Sequence, residues 1–356
     1  LSRKIKSKIK ISDYLIYTLL ATVCDVMPLR KLNRLIGLEV FKNFDINKNI
    51  AFKELFNLNN KKNKININDL GYLIGPILNA GGRLGKSNYA SELLSSNNLD
   101  IVNARSKELI ELNNRRKKIE NAILDEINFQ KIEAENKDII IYYNPNINEG
   151  LIGIIAARLK DYFNKPVFVI TSSNELLKGS ARSVSNYKVG LLMKNLLDKN
   201  IIINGGGHDM AAGFTLLKSN LKDFENFVLG DFLNNCITRE TEFLYDAEIS
   251  TLAFNKNFYD DIKKLEPFGT GNFVPTFLIK DLKVIKSTIL NKKHISLILK
   301  SKTGFSIKSI SFDSINNKVG DYLLNYKNNL HVIGQINENI WNNKKTLQLT
   351  IRDLIL

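Results

Sequence analysis

The sequence predicts an α/β multidomain chain that ends in a small β-barrel, and three observations carry that expectation. At 356 residues the chain is too long for one ordinary core, so two or three compact domains are expected. From Asp138 short β-rich runs, "DIIIYY" and "PVFVITSS", alternate with helical patterns at 151–163 and 187–198, the rhythm of α/β architecture. After about residue 238 five strand-like segments follow, "TFLIKDLKVIKSTIL", "HISLILKS", "FSIKSISF", "NLHVIGQI" and "TLQLTIRD", divided by Asn, Lys and Gly turns. Five such strands predict a small barrel, with an oligonucleotide-binding barrel as one candidate among several.

The earlier elements are read in order. The first ninety or so residues are mixed helix and loop, with an apolar helix-like stretch at 14–24 and the Gly-rich "NAGGRLGKS" at 79–87. Between Ala90 and Glu135 there is neither Pro nor Gly. Leu109, Leu112, Ile119, Ile123 and Ile127 recur there at helical spacing, which predicts a long amphipathic helix, or two. Its "NNRRKK" at 113–118 reads as a solvated face, with phosphate contact from a basic helix as the alternative. The Asn/Lys clusters at 57–68 read as a surface loop, and no internal repeat is visible.

With 51 Lys and Arg against 36 Asp and Glu the net charge is +15, which points toward a polyanionic partner, although the lysines are dispersed and not gathered in one patch. Cys24 and Cys236 stand far apart without a CxxC neighbour, so neither a disulfide framework nor a zinc site is indicated, and a reducing cytoplasm fits. The opening "LSRKIKSKIKISDYLIYTLLATVC" mimics a secretory signal. Asp13 interrupts it, no small-x-small cleavage pattern follows, and the apolar run through Val23 is too short to cross a bilayer; no membrane is expected among the partners. A first residue of Leu in place of Met leads to the expectation of an N-terminal truncation.

Several segments could carry chemistry. "AGGRLGKS" at 80–87 approaches a phosphate loop, but Ala80 replaces the first glycine and "YLIGPILN", interrupted by Gly75 and Pro76, makes a poor preceding strand, so an ATPase reading is set aside. What survives is Arg83 among glycines, where an anion can approach closely. In "KGSARSV" at 178–184 alternation puts Ser180 and Arg182 on one face of what looks like a strand edge, a pair suited to a terminal phosphate; an exposed polar strand is the alternative. In "NGGGHDMAAGF" at 204–214 the glycines permit positive φ and let amides face a phosphate beside His208; the alternative is a tight turn with a histidine satisfied in the core. His208, His294 and His331 are scattered, and Asp25 in "TVCDVMPL" is the best single carboxylate, which alone cannot hold a metal pair.

Taken in order, "LLATVCDVMPLRKLNR" (19–34), "GPILNAGGRLG" (75–85), "EGLIGIIAARL" (149–159), "KGSARSV", "GGGHDMAAG", "LEPFGTGNFVPTF" (265–277) and "LQLTIRD" (347–353) resemble the RecJ family, single-strand-specific 5′→3′ DNA exonucleases of the DHH phosphoesterase superfamily. The resemblance runs over nearly the full length. It implies that residues 1–90 are the end of a DHH catalytic domain, 91–136 a connector helix, 137–237 a DHHA1 domain and 238–356 an oligonucleotide-binding (OB-fold) barrel. It further implies that Asp25 is a catalytic, metal-binding aspartate, and that Arg83, Ser180 and Arg182 hold the 5′-phosphate of the substrate. By the same resemblance Gly206, Gly207 and His208 face the bound strand.

The implied cofactors are two Mn²⁺ or Mg²⁺ ions, and the implied partners are single-stranded DNA, a single-strand-binding protein and a helicase. The DHH triplet and upstream aspartate motifs are absent, so most metal ligands are missing and binding is expected to outlast hydrolysis. Ile147 and Asn148 also replace the family's Trp-His before the glycine of "EGLIGIIAARL". Two other functions stay in view: a non-catalytic single-strand-binding or scaffold protein, and a small-nucleotide DHH phosphodiesterase.

Overall fold

The structure is a computed structural model that describes residues 10–61, 64–236, 244–315, 317–325, 329–341 and 344–355. These fall into two compact units, one built from the described residues of 45–64 and 72–240, the other from those of 1–44, 65–71 and 241–356.

In the first unit five strands, β1 (Ile140–Tyr143), β2 (Val167–Ser173), β3 (Leu176–Arg182), β4 (Asn204–His208) and β5 (Ala211–Leu217), form a sheet of order β1-β2-β3-β5-β4. β1 and β2 are parallel and joined through the helix Ile152–Phe163; the other neighbours are antiparallel. β2 reads as an unbroken apolar run because both its faces are covered. Val167 and Val169 pack with Ile152, Ile155 and Leu159 on one side. Phe168 and Ile170 pack with Val189, Leu192 and Phe224 on the other.

The stretch free of Pro and Gly is three helices where one or two were expected: Tyr89–Ser95, Leu99–Glu126 and Phe129–Ala134. Asparagine makes both breaks. Asn98 Oδ1 accepts from the amides of Asp100 and Ile101, and Asn128 Oδ1 accepts from that of Lys131, so each side chain starts a new helix by capping it. The Gly-rich segment also differs from a loop. Gly75–Arg83 is a helix with Pro in its first turn, so the side on which a phosphate loop needs a strand is helical. Gly81 is there for contact: a Cβ would lie 2.5 Å from the Lys86 carbonyl oxygen and 3.1 Å from Leu109 Cδ2.

In the second unit a short β6 (Ala247–Glu248) runs parallel to β7 (Phe277–Leu290). β8 (His294–Ser301), β9 (Ser306–Ser311), β10 (Leu330–Trp341) and β11 (Lys344–Ile355) complete the sheet. The order β7-β8-β9-β11-β10 returns from β10 to β7, closing a five-stranded barrel in which β9 and β11 are parallel. The helix Lys318–Asn325 lies between β9 and β10 in the chain. This is the OB topology, and its inward positions Leu282, Ile295, Leu297, Leu299, Leu330 and Leu349 are buried.

The helices Leu15–Cys24 and Lys31–Asn43 belong to the same unit. Arg34 Nη2 donates to the carbonyls of Lys264, Leu265 and Glu266 at 3.1–3.3 Å, and the Leu29 amide donates to Thr270 at 2.7 Å. The "LEPFGTGN" segment thereby grips this helical pair. Among the described residues no helix is long and apolar enough to cross a membrane.

Candidate functional site

The site begins with the register of the first unit's sheet. β3 is the middle strand of the sheet, where the sequence pattern predicts an edge. Ser180 pairs with Val169 on β2 and with Gly213 on β5, and Gly213 pairs with Gly206 on β4. Arg182 pairs with Val167 and Ala211, and Ala211 with His208. Directly opposed residues share a face, so Ser180, Arg182, Gly206 and His208 all lie on the face against which Ile152–Phe163 packs.

Arg182 Nη1 donates to Ser180 Oγ at 3.1 Å, which meets the expected shared face. Beside them the rows end in glycine: no atom lies within 4 Å of a Cβ built on Gly206, and the nearest to one on Gly213 is a carbonyl oxygen at 4.0 Å. The outcome is an open floor of bare backbone next to a guanidinium and a hydroxyl.

The glycines achieve this in extended conformation. None of Gly205, Gly206 and Gly207 has positive φ, so the expected left-handed freedom is not used. Gly207 faces the opposite side of the sheet, where a Cβ would meet the Ala211 carbonyl oxygen at 2.2 Å, and serves strand packing. His208 is exposed and is not satisfied in the core. Its strand end is fixed from behind, with the Val189 amide donating to Asp209 and the Ser183 amide to Met210.

Arg83 reaches the same region from the last turn of Gly75–Arg83. Its Nη1 donates to the Gly150 carbonyl at 3.1 Å, and a Cβ on Gly150 would lie 2.4 Å from the Arg83 carbonyl oxygen. Three residues on, a Cβ on Gly153 would come within 3.2 Å of Arg182 Nη2 and 3.3 Å of Ser180 Oγ. Gly150 is therefore a requirement of close backbone approach, and Gly153 leaves room for the Arg182 and Ser180 side chains. Gly153 lies in the first turn of a 12-residue helix, whose dipole favours negative charge at this end.

Burial first, and then the nearby cations Arg116 and Arg182, hold the Arg83 guanidinium below its ordinary range, with Glu120 acting the other way. Arg182 is lowered by burial. Both stay charged at neutral pH, and no ion pair to either appears among the described residues.

Arg116 is the residue that sequence reasoning missed. Inside "NNRRKK", read as a solvated face, Asn113 and Arg116 are buried, together with Glu120. The signal was available: Leu109, Asn113, Arg116 and Glu120 fall at spacings of four, three and four on one helical stripe.

Asp25 belongs to the other unit, where it follows Leu15–Cys24 and is exposed. Among the described residues no group of three or more His, Cys, Asp or Glu could hold a metal ion. The donors among the described residues do not fit a two-metal centre.

Two family models match the sequence. Residues 136–234 match the DHHA1 domain, and residues 245–353 match the RecJ OB domain. The chain belongs to the RecJ family. The single-stranded-DNA-specific exonuclease RecJ of Haemophilus influenzae is 31% identical over 314 residues, 82% of this chain and 53% of that protein. The RecJ of Bacillus subtilis is 27% identical over 346 residues, 94% of this chain and 43% of its own. The chain thus spans about half the length of these curated relatives.

Crystal structures of Thermus thermophilus RecJ in complex with Mg²⁺ and with Mn²⁺ match at TM-scores of 0.81 and 0.82. They cover 99% and 100% of this chain and 54% and 51% of the solved chains, at 22% and 23% identity, a likeness of fold.

Proposed function

We propose that this chain is the strand-holding part of a RecJ-type 5′→3′ exonuclease and that it binds single-stranded DNA by its 5′-phosphate. The observation that carries the reading is the meeting of Arg83 and Arg182, with Ser180, at the start of Ile152–Phe163 beside the glycine floor. Guanidiniums offer paired donors to phosphate oxygens, Ser180 adds a hydroxyl, and the helix N-terminus adds oriented dipoles. Gly206 and Gly213 leave the following backbone room to lie flat, with His208 as a donor at the strand end. The barrel and the net charge of +15 would retain later nucleotides through phosphate pairing, with strong salt dependence.

In this reading residues 1–90 are the end of the catalytic domain, 91–136 the connector, 137–237 the DHHA1 domain and 238–356 the OB barrel. Asp25 is one ligand of a Mn²⁺ or Mg²⁺ centre whose remaining donors are not found among the described residues, and hydrolysis of the phosphodiester needs them. A single-strand-binding protein and a helicase are the proposed protein partners. Cytoplasmic location is part of the same proposal, in keeping with the unpaired Cys24 and Cys236. The donor set favours a second reading for this chain taken alone: binding of single strands without catalysis. The barrel argues against a small-nucleotide phosphodiesterase, since a dinucleotide needs no such extension.

The test is Mn²⁺-dependent release of mononucleotides from 5′-labelled single-stranded DNA, run beside a binding titration. Single-strand binding with no release supports the strand-holding role for this chain. Equal affinity for blunt duplex and single strand overturns the proposal.

A further inference from the structure

Asn113, Arg116 and Glu120 lie on the inner stripe of Leu99–Glu126. Arg116 Nε donates to Asn113 Oδ1 at 3.2 Å and Nη1 to Glu120 Oε2 at 2.8 Å. The other oxygen of Glu120 accepts from Arg158 Nε at 2.7 Å, and Arg158 stands on Ile152–Phe163. The Arg116 and Glu120 side chains are only 11% and 4% exposed. Arg83, Arg116, Arg158 and Arg182 together carry four positive charges against the single carboxylate of Glu120, so the group has a net charge of 4 − 1 = +3.

A purely structural role accounts poorly for this arithmetic. A buried carboxylate needs a cation, and Arg158 already supplies one. Arg116 is a second, more deeply buried guanidinium, on the helix that packs against Gly81 two residues before Arg83; its charge opposes that of Arg83 in the free protein, and an anion arriving at the site relieves the repulsion.

Resting on the reading that Arg83 and Arg182 take a terminal phosphate, we propose that Arg116 is the third guanidinium of that site and a specificity-determining residue, and that Glu120 and Asn113 position it. A phosphate monoester carries about −1.5 to −2 charge at neutral pH and an internal diester about −1, so a third cation rewards the strand end over any internal position. Glu120 fixes the direction of Arg116 while its own charge is shared with Arg158.

The experiment measures the affinity of the full 356-residue chain for a 3′-fluorescein single-stranded oligodeoxynucleotide with a 5′-phosphate or a 5′-hydroxyl, at one fixed salt concentration. Wild type, Arg83→Gln, Arg116→Gln and Arg116→Lys are compared, each with a thermal melt. Wild type is expected to favour the 5′-phosphate by about tenfold or more, as charge-assisted bonds to a terminal phosphate require. Arg116→Gln is expected to cut that ratio by roughly fivefold while 5′-hydroxyl binding stays within about twofold.

Glu120 keeps Arg158 in this variant, so the fold is expected to hold. Should the melt show otherwise, Arg116→Lys is read instead; it keeps the cation but not both anchoring bonds, and its ratio is expected to fall between the other two. Absence of a 5′-phosphate preference in wild type overturns the underlying reading. A preference present in wild type and undiminished in folded Arg116 variants overturns the assignment of Arg116 alone.

Discussion

Gly153 sets the spacing between the first turn of Ile152–Phe163 and the Arg182 guanidinium: a Cβ there would stand 3.2 Å from Nη2 and 3.3 Å from Ser180 Oγ. Gly150, three residues earlier, meets backbone instead, 2.4 Å from the Arg83 carbonyl oxygen. The two glycines therefore predict different losses. Gly153→Ala asks only flexible side-chain ends to move, so the melting temperature is expected to change little while affinity for 5′-phosphorylated single strands falls several-fold. Gly150→Ala must displace backbone and is expected to cost about 1–3 kcal/mol of stability or more. Denaturant melts paired with anisotropy titrations check both, and a reversed order of effects would remove the site from this helix start.

A second contrast lies within one glycine triplet. Gly206→Ala places a methyl group in open space on the guanidinium face and is expected to leave stability unchanged while weakening strand binding. Gly207→Ala would put its Cβ 2.2 Å from the Ala211 carbonyl oxygen, forcing β4 and β5 apart. Hydrogen exchange of the β4 and β5 amides reads the difference: it is expected to accelerate in the second variant and not in the first.

Much of the fold was legible because packing and pattern agreed. The five barrel strands alternate in sequence as they do in the structure, where Ile295, Leu297 and Leu299 face inward. The pairing of Ser180 with Arg182 followed from the same period of two. Where sequence reasoning missed, tertiary contact had overruled a local signal. Gly81 sits in a helix at a point where Lys86 and Leu109 come too close for a side chain, and Gly207 in a strand where Ala211 and Ala212 of β5 do. Arg116 was hidden by its neighbours: Arg115, Lys117 and Lys118 are not buried, and a charge run averages over its one buried member. The convergence of Arg83 with Gly150 joins residues 67 positions apart, which no local pattern encodes.

The barrel carries a pH dependence of its own. Glu338 on β10 is held below its ordinary carboxylate range, first by the ammonium of Lys345 at 3.0 Å and also by Lys256 at 3.4 Å. A lowered folded-state pKa means that this stabilisation is present above the unfolded pKa of about 4.3 and is lost as pH falls through the folded value. Wild type is expected to melt above Glu338→Gln at pH 7, with the gap closing as the pH drops below about 4. A gap that stays constant as the pH falls through the acid range would assign the effect to packing.

A crystal structure of this chain with a short 5′-phosphorylated oligodeoxynucleotide tests most directly the proposal that Arg83 and Arg182 together grip the 5′-phosphate of a single strand. The terminal phosphate is expected within hydrogen-bonding distance of both guanidiniums and of Ser180 Oγ, with the next nucleotides over Gly206 and Gly213. A strand bound with its 5′-phosphate elsewhere, or a 3′ end at these arginines, would contradict it.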